Sequence, residues 1–346
     1  MKKKKIFLGG YVNVLNAQNI NCKSLSIYLN KDKYKVRTLV LGNKDFSKTT
    51  GVSYIKVNSF FYSFSNLFAF LKSVCWADVC YFPKHQSTPK IVLKLASILN
   101  TKTFTTIEGN MCDKSKKNMI ENFGSLEKMT NYFSLFSKRF GITSDIIANA
   151  KCGVDLNTSP LFLGVDKKLF YSESSSTSLR NVIFIGSLIQ RKKVDDFIKL
   201  SSFFPKINFN IVGEGPEKKR LKSIAGKNVK FYNSLNHDEL SKLLKTMDLH
   251  FLPSISEGFP KVILETASSS IPSVVYHNYG AKEWIDDRLN GFIVSDFRQV
   301  VNLINELLKS PELLKKNSEG SLQIADRFNW EEVIKSWEKV IDDLSN

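Results

Sequence analysis

Histidine is scarce in this chain, and cysteine is used without a pattern. Only His85, His237, His250 and His277 occur in 346 residues, and none is spaced as part of a metal-ligand set. The five cysteines, Cys22, Cys75, Cys80, Cys112 and Cys152, are odd in number, and all lie in the first half. There is no Cys-x-x-Cys. These absences exclude a zinc-finger layout and a disulfide framework, and leave reduced thiols in a cytosolic protein as the expectation. No metal is expected. Long apolar runs are also missing. No stretch reaches the roughly 18 uninterrupted apolar residues of a membrane span. The nearest, Ser59 to Val79 ("SFFYSFSNLFAFLKSVCWADV"), is broken by serines, Asn66 and Lys72, and reads as an aromatic amphipathic helix. The opening "MKKKKIFLGGYVNVLNAQN" has the basic start of a signal peptide. Its apolar run is interrupted by Gly9, Gly10 and Asn13, and it lacks a small-residue cleavage site. It is expected to be a first strand followed by a glycine-rich turn. No Gly-x-x-x-x-Gly-Lys-Ser/Thr loop occurs. The nearest dinucleotide fingerprint, Gly213 to Lys218 ("GEGPEK"), lacks its third glycine, so a nicotinamide site is not expected.

Negative charge is scarce in the first half alone. Residues 1–175 hold 26 Lys+Arg against 11 Asp+Glu, whereas residues 176–346 hold 24 against 22. A compositional bias toward Lys, Asn, Ile and Phe would act on both halves and does not explain the asymmetry. A basic surface attracts nucleic acid, anionic lipid or phosphorylated substrates. No helix-turn-helix, zinc-finger or RNP-type motif is present, so nucleic acid is the distant alternative and is not expected as a partner. Length suits two domains, and 42% hydrophobic residues suffice for two cores.

The second half alternates. "NVIFIGSL", "INFNIVGEG", "VKFYNS", "DLHFLPS" and "IPSVVY" read as strands. "VDDFIKLSSFF", "PEKKRLKSIAG", "HDELSKLLKTM" and "GFPKVILETASSS" read as the helices between them. This pattern predicts a parallel sheet covered on both faces. The first half repeats it less cleanly, with strands in "KIFLGG", "YKVRTLVLG", "VCYFP", "TFTTIEG" and "FGITS" and a helix over 87–99. The polar stretch Phe170 to Arg180 reads as a linker, and the tail from about Trp330 as an amphipathic helix. The fold class expected is α/β, two doubly wound Rossmann-like domains with ligand sites at the strand carboxyl ends, facing a central cleft.

Three strand-to-helix turns of the second domain carry chemistry. Gly186-Ser187 leads to Arg191, Lys192 and Lys193; Gly213 opens "EGPEKK"; and "FLPS" is followed by "ISEGFPKVILE". A helix N-terminus with a nearby lysine is a phosphate cradle. A carboxylate such as Glu265 can accept two ribose hydroxyls. Glu257 and Glu265 stand eight residues apart. Were the segment helical throughout, that is roughly 12 Å of rise and about 80° of rotation. A hydrolase pair is closer, about 5–9.5 Å. The spacing therefore points to two jobs on one elongated ligand, and the cradles and Glu265 together would hold a nucleotide diphosphate. Glu257 favouring a helix N-terminus and Glu265 on a solvated helix face are the plain alternatives.

"VGEGPEKKRL", then "KFYNSLNHDELSKLLKTMDLHFLPSISEGFPKVILETASSSIPSVV", then "NGFIV", in that order, resemble the donor domain of glycosyltransferase family 4, retaining enzymes of GT-B fold within the glycosyl transferases group 1. The resemblance covers about 160 to 330, including "GVDKKLF" at the expected linker entrance. It implies an acceptor-binding domain over 1–168, a donor domain over 169–328, and a helix over 329–346 packing back on the first. It implies that Glu265 binds the ribose, Glu257 faces the donor sugar or its phosphate, and Lys192 neutralises the diphosphate. The backbone of Gly258, Phe259, Lys261 and Val262 would reach sugar and diphosphate. Gly9 and Gly10 would admit the β-phosphate from the first domain, and Leu235 would lie against the base. Two positions depart from the family pattern. Ser187 stands where a second diphosphate arginine is usual, a loss that Arg191 could offset. Glu108, in "FTTIEGN", stands where many relatives carry histidine, and is a candidate to hold the acceptor or take its proton. His85 is the other acceptor-side candidate, with a surface loop residue as its plain alternative.

The resemblance further implies a metal-independent transfer with retention of configuration, from a UDP- or GDP-sugar to a glycan hydroxyl, with no cofactor and with domain closure completing the site. The acceptor expected is a lipid-linked glycan of bacterial surface polysaccharide assembly (capsule, O-antigen or exopolysaccharide). The basic first domain and its aromatic helix suggest an anionic membrane surface, hence a cytoplasmic protein peripheral to the inner face of the membrane. A GT-B nucleotide-sugar epimerase or a non-catalytic nucleotide-sugar binder is the alternative.

Overall fold

The structure, a computed structural model, describes residues 2–345 except 15, 44, 84–87, 113–118 and 174–175, and leaves the side chain at 17 aside. It divides into two compact units, Met1–Leu163 with Trp330–Asn346, and Gly164–Asn329.

The first unit is built on β1 (Lys4–Tyr11), β2 (Tyr34–Leu41), β3 (Val52–Val57), β4 (Val79–Tyr81), β5 (Lys102–Ile107) and β6 (Lys138–Gly141). Their order in the sheet is β3-β2-β1-β4-β5-β6, with every pairing parallel. The second unit holds β7 (Asn181–Ile185), β8 (Asn208–Val212), β9 (Val229–Tyr232), β10 (Leu249–Leu252), β11 (Ser273–Tyr276) and β12 (Phe292–Val294). Their order is β12-β11-β10-β7-β8-β9, again all parallel. Both orders are the doubly wound 3-2-1-4-5-6 arrangement. The chain reverses direction across each sheet between its first and fourth strands, β1/β4 and β7/β10. Runs such as Ile6-Phe7-Leu8 and Val182-Ile183-Phe184 are buried on every residue, as strands covered on both faces must be.

Several sequence expectations need correction. Gly9 and Gly10 do not form a turn: β1 runs through them, and its register against β2 slips between Leu8 and Tyr11. Packing accounts for the residue type. A Cβ on Gly9 would lie 2.8 Å from Phe82 Cδ1, and one on Gly10 2.8 Å from Cys22 Sγ. β3 and β12 were not foreseen as strands; both are sheet edges, and in β3 only Val57 is fully buried. β6 begins at Lys138, two residues before the expected "FGITS". The polar stretch from Phe170 to Arg180 is tied into the second unit. The Ser172 amide donates to Ser268 O at 3.1 Å, and the Arg180 and Asn181 amides donate to Asp248 Oδ2 at 2.9 and 2.8 Å. Asp248 thus fastens the entrance of β7, because a short carboxylate can accept several backbone N–H groups at once.

The tail helix Trp330–Ser345 belongs to the first unit. Its apolar stripe buries Trp330 and Trp337 fully, and Trp337 packs edge-on to Tyr81 at 5.0 Å. The Trp337 indole N–H donates to Phe162 O at 2.9 Å, and Lys4 pairs with Asp342 at 3.0 Å. Large indoles satisfied this way anchor a helix better than its surface charges do. Among the described residues no helix is long and apolar enough to cross a membrane.

Candidate functional site

In open α/β sheets, ligands bind outside the strand carboxyl ends, where the strand order reverses. In the second unit that place lies between β7 and β10. After β7 the chain turns at Gly186-Ser187 and makes a short 3-10 turn, Gln190–Lys192. Lys193 follows in the left-handed region at φ 45°, and the helix Val194–Phe203 begins. A left-handed lysine is strained backbone, of the kind that collects at functional sites. After β10 the chain runs through Ser254 to Glu257 and enters the helix Lys261–Ser268. The two turns are stitched together: the Ile255 amide donates to Arg191 O at 3.0 Å, and the Arg191 guanidinium donates to Ser256 O.

The side chains then meet. Lys192 Nζ lies 2.5 Å from Glu257 Oε1, with Arg191 Nη1 at 3.4 Å from the same oxygen. The Lys192 and Glu257 side chains are 11% and 8% exposed, and that of Arg191 44%. Burial pulls the Lys192 pKa below its ordinary value while Glu257 works against that fall. Desolvation disfavours the ammonium and the carboxylate partner favours it. Two cations therefore converge on one carboxylate at the end of β7. Ser187, at the start of the same turn, is exposed and uncharged.

Glu257 lies outside the helix, so the segment between the two glutamates is not helical throughout. Gly258 is half-buried, and Phe259 is wedged edge-on between Trp284 and Phe328, each at 5.2 Å. Pro260 stands at the N-cap and makes no side-chain cap bond. A helix N-terminus of this kind favours an anion. One turn on, half-buried Glu265 has its pKa raised to about 7 by burial, with Lys261 pulling the other way. Its carboxylate has no hydrogen bond to another described residue, so its acceptor oxygens are open.

The rim continues along β8 and β9. The Gly186 amide donates to Val212 O at 3.0 Å and Leu188 N to Glu214 O at 2.8 Å, which locks the β7 turn against "GEGPEK". Glycine is required at that contact: a Cβ on Gly213 would sit 1.9 Å from Gly186 O. Lys218 Nζ bridges Glu214 at 2.6 Å and Asn233 at 2.7 Å, joining the β8 and β9 ends. Half-buried Leu235 follows, just before the capping box of Asn236 and Glu239 that starts the helix His237–Leu244.

Sequence reasoning missed a polar layer beneath this rim. His250, on β10, is fully buried with Nδ1 2.9 Å from Ser273 Oγ, and Nε2 has no partner. Burial, then Lys192, lowers its pKa to about 3, so the ring is neutral. Ser254 Oγ and Tyr279 Oη are also buried without partners. Tyr279 titrates well above its ordinary value, because of burial first and Glu257 second. A histidine inside an apolar strand, "DLHFLPS", was the only signal available for this layer.

In the first unit, Glu108 follows β5, and its Oε1 accepts from Asn21 Nδ2 at 3.2 Å. Asn21 lies on the helix Ala17–Tyr28 that follows β1, and neighbouring Asn19 Oδ1 accepts the Tyr11 amide at 3.0 Å. Glu108 thus stands at a strand carboxyl end beside the first helix of its own unit. The asparagine-rich "NAQNIN" was the signal for these partners. His85 lies outside the described residues.

A family model, glycosyl transferases group 1, matches residues 167–322. An uncharacterized glycosyltransferase of Haemophilus influenzae is 26% identical over 173 residues, covering 47% of this chain and 49% of that protein. The chain spans about half the length of the curated relatives it matches. Among solved structures, sucrose-phosphate synthase from Thermosynechococcus elongatus superposes with a TM-score of 0.79 at 15% identity, over 99% of each chain. Anabaena HepE in complex with UDP-glucose gives 0.75 at 15% identity, over 99% of this chain and 100% of its own. The fold is α/β with two Rossmann-like units, matching GT-B glycosyltransferase structures. Over residues 167–322, which include the rim of the second unit, the chain is similar to the glycosyl transferases group 1.

Proposed function

We propose that this protein is a retaining glycosyltransferase of family 4. It moves a sugar from a nucleotide-diphosphate sugar, UDP- or GDP-linked, to a hydroxyl of a glycan acceptor. The observation that carries the reading is the rim of the second unit. Lys192 and Arg191 converge on Glu257, next to an uncapped helix N-terminus whose first turns also carry Glu265 with its oxygens open. A nucleotide sugar asks for those three things in a row: acceptors for ribose hydroxyls, positive charge for a diphosphate, and a polar group for the sugar.

Glu265 accepts the ribose hydroxyls. The amides at Phe259, Lys261 and Val262 and the ammonium of Lys192 take the diphosphate, with Arg191 in place of the arginine absent at Ser187. Gly186 and Gly213 keep the turn backbones close enough to face it, and Leu235 lies toward the base. Glu257 holds the sugar end and keeps both cations in position. The bond from the anomeric carbon to the β-phosphate oxygen breaks, and a bond from that carbon to the acceptor oxygen forms on the same face. The acceptor proton passes to the departing phosphate oxygen, and no metal or cofactor takes part. Charge building on the leaving diphosphate is what Lys192 and the helix end stabilise, and preorganised groups of that kind cost no reorganisation during reaction. On the acceptor side, Glu108 orients the hydroxyl. HepE, solved with UDP-glucose, supports the donor class. A lipid-linked glycan of bacterial surface polysaccharide, met at the cytoplasmic face of the membrane, is the acceptor we assign. It suits the basic first half of the chain.

A thermal-shift screen against UDP- and GDP-sugars identifies the donor. Free nucleoside diphosphate should then form at a high rate only when a glycan acceptor is added. Binding with no release, or conversion of the donor with no acceptor, would replace the transferase by a binder or an epimerase.

A further inference from the structure

The first unit carries an apolar surface that the donor chemistry does not use. The helix Tyr62–Val74 buries Ala69, Phe70 and Val74 inward, as an amphipathic helix should. Its outward face is apolar as well. Phe60 is 87% exposed, Phe64 84% and Phe68 67%, with Phe61 beside them at 65%. Phe64 and Phe68 are one turn apart on the helix and share a face, and Phe60 and Phe61 lie in the turn that leads into it. The helix Lys90–Ile98 packs against this helix and adds exposed Ile91 and Ile98. Four phenylalanines exposed to this degree present on the order of 600 Å² of apolar surface. That is the upper end of what a monomer shows to water without using it.

Charge selects the occupant. Between Asp45 and Glu108 there are seven lysines and one acidic residue, Asp78. The carboxylate of Asp78 takes the Lys5 amide at 2.7 Å. Neither helix contains an acidic side chain, and the exposed Lys72, Lys90 and Lys94 sit on the same two helices as the rings. A second copy of this chain would bring lysines against lysines, which opposes self-association. An apolar stripe flanked by lysines, with no acid among them, matches the boundary between anionic headgroups and acyl chains.

We infer that the helices Tyr62–Val74 and Lys90–Ile98 form an interfacial anchor, with Phe60, Phe61, Phe64 and Phe68 entering an anionic bilayer and Lys72, Lys90 and Lys94 resting on its headgroups. The inference names the membrane surface assigned above and stands independently of the donor site, since it concerns only side chains of the first unit. The test is flotation of the full chain with phosphatidylglycerol-containing vesicles and with pure phosphatidylcholine vesicles. The wild type should float with the first, and roughly tenfold more weakly with the second. Phe64→Ser/Phe68→Ser should lower the partition at least about tenfold, the order expected for losing buried apolar area. Lys72→Glu/Lys90→Glu/Lys94→Glu should abolish the preference for anionic vesicles. All five positions are exposed, so melting temperature and the nucleotide thermal shift should be unchanged. Those two readouts separate failure of the anchor from failure of the donor site. Absence of wild-type flotation with both vesicles overturns the inference. So does equal flotation of wild type and the double serine variant, or a concentration-dependent dimer that the serines abolish.

Discussion

Lys192 Nζ and Glu257 Oε1 lie 2.5 Å apart across 65 residues of chain, and both side chains are about nine-tenths buried. The contact joins the turn after β7 to the turn after β10, the two strands that flank the reversal of strand order. A buried ion pair contributes little net stability, but breaking it strands a charge. Lys192→Met should therefore cost about 2–3 kcal/mol, below the fully buried range because Arg191 remains near Glu257. Lys192→Met combined with Glu257→Gln should recover most of that loss. Urea denaturation of the two singles and the double closes the cycle, and strictly additive losses would show that the pair is not coupled.

The two glutamates should separate kinetically. Glu265→Ala removes an acceptor for nucleotide hydroxyls and should weaken nucleoside diphosphate binding roughly tenfold to a hundredfold, the worth of hydrogen bonds to a charged group. Glu257→Ala leaves that end intact and should lower turnover with a much smaller change in nucleotide binding. Calorimetry for binding and diphosphate release for turnover read the two effects. Equal, small effects from both substitutions would contradict the division of the ligand's two ends between them.

Much of this site was legible in the sequence because turn chemistry is local. A glycine that ends an apolar run, a lysine that follows it and a helix that begins there are all visible in "VIFIGSLIQRKK". The pairing of Lys192 with Glu257 was not legible, because it depends on β7 and β10 being neighbours in the sheet, a consequence of topology. The same limit hid the role of Gly9 and Gly10. Two glycines after an apolar run read as a turn, whereas Phe82 and Cys22 press on them inside β1. β3 was missed for a different reason. Its edge position buries only Val57 fully, so its apolar pattern is diluted. The polar layer of His250, Ser254 and Tyr279 could not be found from types alone, since its meaning lies in atoms left unpaired after packing.

Backbone closeness at the rim makes Gly213 intolerant of any side chain. A Cβ there would stand 1.9 Å from Gly186 O, at a residue with φ +153°. Backbone cannot yield as a flexible side chain does. Gly213→Ala should destabilise the protein by about 2–4 kcal/mol, within the range for forced packing and strained dihedrals, and should also spread the β7 turn and weaken nucleotide binding. Gly109 supplies the control, because a Cβ there meets nothing within 4 Å. Gly109→Ala should stay within about 0.5 kcal/mol of wild type. Thermal denaturation of both variants checks the contrast, and equal melting temperatures would contradict it.

Glu265 should make both stability and binding depend on pH, in opposite directions. Burial raises its folded pKa from 4.5 to about 7. Between those values the folded protein holds a proton that the unfolded chain has released. Stability is therefore full below pH 4.5, falls as pH rises toward 7, and is level above it. The loss is at most about 3 kcal/mol, and less to the extent that water reaches the half-buried carboxylate. Glu265→Gln carries no such charge, so at pH 8 it should be more stable than wild type and at pH 4.5 equal to it. Ribose hydroxyls donate hydrogen bonds, and the ionised carboxylate accepts them best. Nucleotide affinity should then rise through pH 7, and binding at pH 6 should release a proton from Glu265. The diphosphate itself titrates near this range, so the Gln variant provides the baseline to subtract. Calorimetry in two buffers of different ionisation enthalpy measures the proton released. If wild type and Glu265→Gln released the same number of protons at pH 6, this carboxylate would not be what receives the ribose.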